Sequence, residues 1–525
     1  MAALLRSTSR DGIQKDLINS IGLDGESLSI EQVVRVARQH APVFLEPAAR
    51  LSMEKSHRMV QRIVAEKQVV YGITTGFGKF SNVVISPAQA ELLQKNLVMS
   101  HAVGTGEPFD REIVRAVMLL RANTLAKGYS GVRPLVVEYL LQLLNRGVHP
   151  VVPEQGSVGA SGDLAPLAHV TLVLLGLGEA EYRGKRISGA KALEVAGLPP
   201  LTLQAKEGLA LTNGTQVMGA IGCLAVYDAE LTAKTASIAA ALAVEALDGL
   251  AIAFDPRVQR VRPHAGQVRC AAHLRQLLAG GEIATRSAGP RVQDAYTLRC
   301  TPQVHGATLD AIDYVRDVLE IEINSATDNP LLFPAEGEVI SGGNFHGQPL
   351  ALALDFLGMA VAELGSMAER RVARLLDPAT SGLPAFLTTH GGLNSGLMLT
   401  QYTAAALVSE NKVLASPACV DSIPTSANQE DHVSMGPIAA RKARRIIRNV
   451  QQILAIQLLC AAQAIDLGKR HKMGRGTARA YEVIRSEIPF LDRDRVLYPD
   501  LFKALELVQS GRLLQAVEDE VGVLE

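Results

Sequence analysis

The sequence predicts a mainly α protein built on a bundle of long helices, preceded by a loop-rich N-terminal portion. Three observations carry this prediction. Stretches rich in Ala, Leu and Val recur at helical spacing over 302–324, 347–376, 395–415 and 435–466, and a longer one runs from 206 to about 252. They exceed the ordinary mean of about 11–12 residues for a helix. Of the 525 residues, 48% are hydrophobic but only 4% aromatic, with no tryptophan, which suits helix-on-helix packing of small and branched side chains. Finally, there is no βαβ alternation, and clean strand patterns are few.

The elements follow in order. Residues 1 to about 25 are mixed and polar and read as a loose leader. A first helix covers 29–38, with Ile30, Val33, Val34 and Val36 apolar and Glu31 in the first turn. Helices are also expected at 46–66 and 87–100. Between them Tyr71 to Lys79 carries three glycines and reads as a loop. It is not a phosphate loop, since Ile73 stands where the first glycine would be and Phe80 where Ser or Thr would be. One or two helices cover 110–145, another covers 164–177, and 184–201 reads as a surface excursion. In the 206–252 stretch, Ala, Leu and Val occur all round the perimeter, as in a helix buried on most faces. Polar, glycine-containing loops fall at 293–306, 325–346 and 421–434, where chemistry tends to sit on a rigid frame. The expected organisation is a leader (1–27), an N-terminal portion (28–205), the long-helix bundle (206–470) and a helical tail (471–525).

The formal net charge of −1 points away from nucleic acid and acidic membrane surfaces as partners. Five cysteines, an odd count with no CxxC pair, argue against a disulfide framework and a zinc site, and for a reducing compartment. Ala2 to Leu5 is too short for a signal peptide, and Asp11 and Asp16 argue against a transit peptide. The charge-free helical stretches are interrupted by Pro166 or bounded by Asp228, Glu230 and Lys234, so no membrane span is expected. A soluble, cytoplasmic protein is the expectation.

Within Gly156 to Pro166, small residues crowd around Ser161. Two readings stand side by side. Ser161 or Asp163 can cap a helix with Pro166 in its first turn. Alternatively, the amide nitrogen of Gly162 can attack the carbonyl carbon of Ala160. Loss of two waters, one of them the Ser161 hydroxyl, then leaves an imidazolone with an electrophilic methylidene carbon. Glycine supplies the least hindered nucleophile, and serine the leaving group. A hydrolase nucleophile fits poorly, because Gly159 to Asp163 lacks the GxSxG spacing despite the nearby His169.

Other candidates lie in the loops. Tyr71 beside the glycine loop can be a packed ring or a functional phenol. Tyr296 and Arg299 are three residues apart, on one face if helical, and an arginine is the preferred bidentate partner of a carboxylate. Ser341 to Gly347 offers an amide, Phe345 and a histidine. Asn428 to Met435 gathers Glu430, Asp431 and His432, but no second cluster stands at ligand spacing, so no metal is expected.

Together these stretches resemble the aromatic amino-acid ammonia-lyase family. The matching motifs are YGITTGFG (71–78), SHAVG (100–104), GSVGASGDLAPLAH (156–169), KEGLALTNGTQ (206–216), QDAYTLRCTPQVHG (293–306), NSATDNP (324–330), SGGNFHG (341–347) and NQEDHVSM (428–435). Eight motifs in order, spread over about 28–470, make ring formation at Ala160-Ser161-Gly162 the stronger of the two readings. Thr74 stands where many bacterial members have Asn, and the two ends of the chain match poorly.

The resemblance implies an ammonia-lyase/fumarase-like helical fold, a homotetramer and an autocatalytically formed 4-methylidene-imidazole-5-one. Ser100-His101 is the histidine-type pair, and Glu430 stands where phenylalanine-type members generally have Gln. The implied reaction is elimination of ammonia from L-histidine to give trans-urocanate. The family alternatives are a tyrosine or phenylalanine ammonia-lyase, or an aminomutase. Carried over residue by residue, Tyr71 is the base for the β-proton, Tyr296 assists it, and Arg299 pairs with the substrate carboxylate. Asn213 and Gln293 hydrogen-bond the ring and substrate, Phe345 packs on the substrate or ring, and His101 and Glu430 hold the imidazole, unless Glu430 contacts the amine instead. Whether the substrate's amine or its aromatic ring meets the methylidene carbon is left open by the resemblance.

Overall fold

The structure, a computed structural model, describes residues 20–286, 292–469 and 471–525. They form two compact units. Of the described residues, one unit holds those up to Leu224 with Arg316–Leu354 and Ala418–Arg441; the other holds those within Ala225–Val315, Asp355–Pro417 and Lys442–Glu525.

The first unit opens on a parallel pair of short strands, Ile21–Leu23 with Val43–Leu45. Ile21 and Leu23 are buried, so the expected leader is too long at its C-terminal end; its residues 1–19 lie outside the described residues. Helix Ile30–Gln39 starts at a capping box, in which Ser29 Oγ accepts from Gln32 N and Gln32 Oε1 accepts from Ser29 N. Helices Pro47–Ala65 and Ala90–His101 fall where the apolar spacing puts them. The 110–145 stretch is two helices, Arg111–Ala126 and Pro134–Asn145. Gly128 (φ +85°) and Gly131 (φ +74°) make the turn between them.

The surface excursion expected at 184–201 is instead a structured segment. Strand Lys185–Ser188 completes a three-stranded sheet with Val148–Pro150 and Glu179–Tyr182. Helix Gly189–Val195 follows and buries Ala192 and Leu193. Four residues and seven are too short to show a period of their own. The 325–346 loop likewise contains a hairpin, Leu331–Phe333 with Glu338–Ile340.

The long Ala-rich stretch is broken. Helix Glu207–Thr212 ends at Asn213, and helix Gln216–Ala246 begins after Gly214. Asp163 receives that second helix: its Oδ2 accepts from Val217 N at 2.9 Å and Met218 N at 3.0 Å. Asp163 does stand at the N-cap of its own helix, Leu164–Leu174, but makes no side-chain cap bond there. Two buried cations and one buried carboxylate also surround this break. Lys206 Nζ donates to Asp328 Oδ2 at 2.6 Å, both side chains fully buried. Arg121 Nη1 donates to Asn213 O at 2.7 Å and Gln216 Oε1 at 2.6 Å. Burial pulls the Arg121 guanidinium down to about 10, against the Asp328 charge.

In the second unit, the expected 293–306 loop holds a helical turn, Tyr296–Arg299, and the start of helix Thr301–Glu322. The chain's last helices, Arg475–Glu487, Tyr498–Gln509 and Arg512–Val521, follow a segment fastened by the buried Glu245 carboxylate. That carboxylate accepts from Gly474 N (2.8 Å), Thr477 Oγ1 (2.8 Å) and His471 Nε2 (2.7 Å). Contrary to expectation, helices Gln348–Leu376 and Gly436–Leu467 are long and apolar enough to cross a membrane by length and composition. Most of each apolar window is buried against protein, as in core helices.

Burial pushes Asp163 up to about 7, with the Met218 and Val217 amides opposing. A folded-state value above the ordinary carboxylate value near 4 means that the folded state holds this proton more tightly. The stability so contributed is complete below about pH 4 and is lost as the pH rises through about 7. Asp163→Asn keeps an accepting oxygen and removes the titration. Wild-type stability relative to this variant should therefore fall from acid to neutral pH, as read from denaturant midpoints at about pH 4, 6 and 8; a constant difference would contradict the assignment.

Candidate active site

The loop around Ser161 is held by backbone contacts that tolerate only glycine. Gly162 has φ +72° and forms a parallel bridge with Gly214. A β-carbon on Gly162 would run into the Gly214 backbone, and one on Gly159 (φ +67°) into Ser434 Oγ. Asp163 N extends the contact, donating to Gly214 O at 2.7 Å. Ala160 is buried against Val433 and Met435. Ser161 is half-buried, and Asn213 Nδ2 donates to both its Oγ (2.6 Å) and its carbonyl O (3.0 Å). Asn213 Oδ1 is buried with no hydrogen-bond partner among the described residues. The break in the Ala-rich stretch thus delivers an amide side chain onto the serine.

Ser161 faces a cavity of about 550 Å³. Tyr71, Ser100, His101 and Glu430 share its lining, with Leu93, Leu97, Leu164 and Leu209 among its apolar walls. All of its lining residues belong to the first unit. Tyr71 is half-buried, and its phenolic oxygen accepts from Gly78 N at 3.3 Å. The glycine loop therefore holds the phenol from behind.

The polar end of the cavity has a definite donor and acceptor pattern. Ser100 Oγ donates to Leu97 O at 3.0 Å and lies 3.1 Å from His101 Nδ1. With its proton committed to the carbonyl, the hydroxyl accepts from Nδ1–H, which leaves His101 Nε2 as an acceptor. Burial lowers the His101 pKa, while the Leu97 carbonyl and the Glu430 charge oppose that shift. Glu430 Oε2 accepts from Thr425 Oγ1 at 2.7 Å, and the two residues exchange backbone hydrogen bonds. Between them Ser426, Ala427 and Asn428 have φ of +53°, +51° and +63°. Three successive non-glycine residues in the left-handed region are strained, and the turn they make carries Glu430 into the cavity.

The remaining predicted residues are not among those lining the cavity. Phe345 is half-buried on a loop fastened by Asn329 Oδ1, which accepts from Gly342 N at 2.8 Å. It is not among the residues lining the cavity. In the same loop the His346 ring stacks on His432, 5.7 Å apart and within 3° of parallel. Gln293, Tyr296 and Arg299 belong to the second unit. Tyr296 is exposed, and the Arg299 guanidinium lies 4.7 Å from its ring centroid, as three-residue spacing on one helical turn allows. Two residues at the site were missed in the sequence: Thr425, which holds Glu430, and Asp163 as the cap of the long helix. A Thr five residues before an acid has no local signature. Asp163 has its partners 54 and 55 residues away. Among the described residues no group of three or more His, Cys, Asp or Glu side chains is placed to hold a metal ion.

Chemically, the cavity joins a serine whose leaving oxygen has a donor, a phenol, and two acceptors suited to N–H groups. Comparison with known proteins agrees with that chemistry. The profile of the aromatic amino acid lyase family matches residues 28–486. The chain is 57% identical over 507 residues to histidine ammonia-lyase of Alkaliphilus metalliredigens, covering 97% of this chain and 100% of that one. Among solved structures it is similar to histidine ammonia-lyase from Trypanosoma cruzi, with a TM-score of 0.89 and 43% identity over 96% of each chain. It is also similar to tyrosine aminomutase from Streptomyces globisporus, with a TM-score of 0.91 and 39% identity over 96% of this chain and 99% of that one. Identity at this level over nearly the whole length, for a chain with this serine loop and cavity, means that it belongs to the aromatic amino acid lyase family.

Proposed function

We propose that this carbon–nitrogen lyase eliminates ammonia non-oxidatively from L-histidine, giving trans-urocanate, as a step in histidine degradation. The observation that carries this reading is the cavity in which Ser161, Tyr71, His101 and Glu430 meet. A 4-methylidene-imidazole-5-one formed from Ala160, Ser161 and Gly162 fits the residues present. Gly162 already has the left-handed backbone that a side chain would forbid, and Asn213 Nδ2 lies 2.6 Å from the oxygen that must leave. The buried, unpartnered Asn213 Oδ1 is a further group that a ring could engage. Once formed, the ring supplies an electrophilic carbon, which no standard side chain does.

The chain's own residues supply the rest. Tyr71, acting as its phenolate, takes the β-proton on its oxygen and becomes the phenol. Asn213 positions the ring and substrate; with sites assembled from several subunits, as the family resemblance implies, Gln293 hydrogen-bonds the ring or substrate, Arg299 pairs with the substrate carboxylate, Tyr296 assists Tyr71, and Phe345 packs on the substrate or ring. His101 Nε2 and the Glu430 carboxylate hold the substrate imidazole, accepting its one N–H in the neutral form and both N–H groups in the imidazolium, and Glu430 can instead accept from the substrate amine. A phenyl ring would leave both unpaired, at about 1–3 kcal/mol each.

A homotetramer is the proposed assembly, and the surface supports it. Along helix Gln348–Leu376, Leu352, Phe356 and Met359 form an exposed apolar stripe at helical spacing, and Leu399 and Tyr402 do the same on helix Met398–Leu414. All five cysteines are free, which suits a reducing cytoplasm.

Intact mass and turnover test the chemistry together. The wild-type chain should be lighter than its sequence by two waters. Ser161→Ala should keep its full mass, fold and lose nearly all turnover. Tyr71→Phe should keep the dehydrated mass and lose about 10²- to 10⁴-fold in kcat; near-normal turnover would remove it as the base. L-Phenylalanine and L-tyrosine should lag L-histidine by about tenfold to a hundredfold in kcat/KM per unpaired acceptor. Glu430→Gln should narrow that gap, and a β-amino acid product would favour an aminomutase instead. In sedimentation, activity should travel with the tetramer; an active monomer would refute the assembly.

A further inference from the structure

The second unit buries a cation that has no carboxylate partner among the described residues. Arg371, on helix Gln348–Leu376, has no exposed surface. Its Nε donates to Thr297 O at 2.8 Å, and its Nη2 donates to Thr301 Oγ1 at 2.9 Å and to His305 Nε2 at 3.1 Å. A guanidinium has no lone pair to offer, so His305 Nε2 is the acceptor and His305 is neutral. Burial, then the Arg371 charge, hold the His305 pKa well below the ordinary value and keep it so. A charge buried without a counter-charge is costly. Hydrophobic residues of similar size would pack here at less expense, so stability alone does not account for the arrangement.

What the guanidinium touches is informative. Thr297 lies inside the turn Tyr296–Arg299, and Thr301 is the first residue of the helix after it. Thr301 Oγ1 itself donates to Leu298 O at 2.9 Å, so Arg371 and Thr301 hold adjacent carbonyls of one turn. The segment's other end is held by the buried Asp294, whose Oδ2 accepts from Leu250 N at 2.6 Å. The turn is thus fixed at both ends, while Tyr296 on it remains exposed.

We propose that Arg371 is a positioning residue, clamping the Tyr296–Arg299 turn through the Thr297 carbonyl and the Thr301 hydroxyl so that Tyr296 and Arg299 meet the substrate in fixed geometry. This rests on the reading that those two side chains act on the substrate. The bonds run from a long, rigid helix to a four-residue turn that cannot hold its own shape. Displacing reacting groups by about 1 Å can cost about a hundredfold in rate.

The test uses the full chain and four variants: Arg371→Lys, Thr301→Val, Thr301→Ser and Arg299→Lys. Hydrogen exchange reads the clamp without reference to activity. Amides 297–300 should exchange at least about tenfold faster in Arg371→Lys and Thr301→Val, with helix Gly436–Leu467 unchanged and the dehydrated mass retained. Thr301→Ser, which keeps the hydroxyl, should restore wild-type exchange. With L-histidine, Arg371→Lys and Thr301→Val should raise KM and lower kcat, each by about tenfold. Arg371→Lys should cost less on top of Arg299→Lys than on its own, because part of its effect acts through the Arg299 carboxylate contact. Unchanged exchange or unchanged kinetics in folded Thr301→Val and Arg371→Lys would overturn the proposal, as would losses that simply multiply. A wild-type chain inactive on L-histidine whose turn nonetheless loosens in the variants would refute the activity proposed above and support the clamp.

Discussion

The interaction on which the rest of the site depends is the backbone contact between Gly162 and Gly214. Two chain segments 52 residues apart approach so closely that Gly162 cannot carry a side chain, while a β-carbon on Gly214 would meet Gln216, Arg121 and Thr327. The polar groups beside the serine are referred to this contact. Asp163, next in sequence, is thereby set against the start of helix Gln216–Ala246 and accepts two of its free amides. Asn213, on the other segment, is set against Ser161. One contact orients a helix terminus, a carboxylate, an amide and the serine. The buried Lys206–Asp328 pair and the doubly bound Arg121 fasten the surrounding backbone. Such buried charges are poor sources of net stability but penalise any arrangement that separates them.

Recognition in the cavity is arranged differently from reactivity. The serine loop is rigid because its backbone has no alternative. The polar end is rigid because each recognising group has a second partner: Ser100 fixes the ring proton of His101, and Thr425 holds one oxygen of Glu430. The apolar leucines between them supply the low-polarity walls in which unpaired acceptors are costly. Selectivity for an imidazole then follows from what a carbocyclic ring lacks.

The long helices were legible because their apolar spacing is a local property. Expected limits such as 347–376 and 435–466 fall within a residue or two of Gln348–Leu376 and Gly436–Leu467. The serine loop, Tyr71 and the pair His101 and Glu430 were legible as motifs, and the fold places them on one cavity. Features made by distant partners were not. The break at Asn213 has a local signal in Thr212-Asn213-Gly214-Thr215 that the apolar run on either side obscures, and it is held by Gly162, Asp163 and Arg121 from elsewhere in the chain. Strand Lys185–Ser188 is a strand because Glu179–Tyr182 lies beside it. Asp163 reads as the cap of the helix that follows it; only the fold shows that the helix it serves is another.

The left-handed turn Ser426–Asn428 has a further consequence. Each of its residues occupies a conformation that costs about 1–3 kcal/mol, and contacts elsewhere must offset that cost. The carboxylate of Glu430 is thus carried on a sprung support. Substitutions that relieve or redistribute that tension can shift the acid within the cavity while leaving every side chain that faces a ligand untouched. Preference among amino acids can therefore drift through the backbone alone, which offers a physical route by which chains of nearly superimposable fold diverge in what they accept.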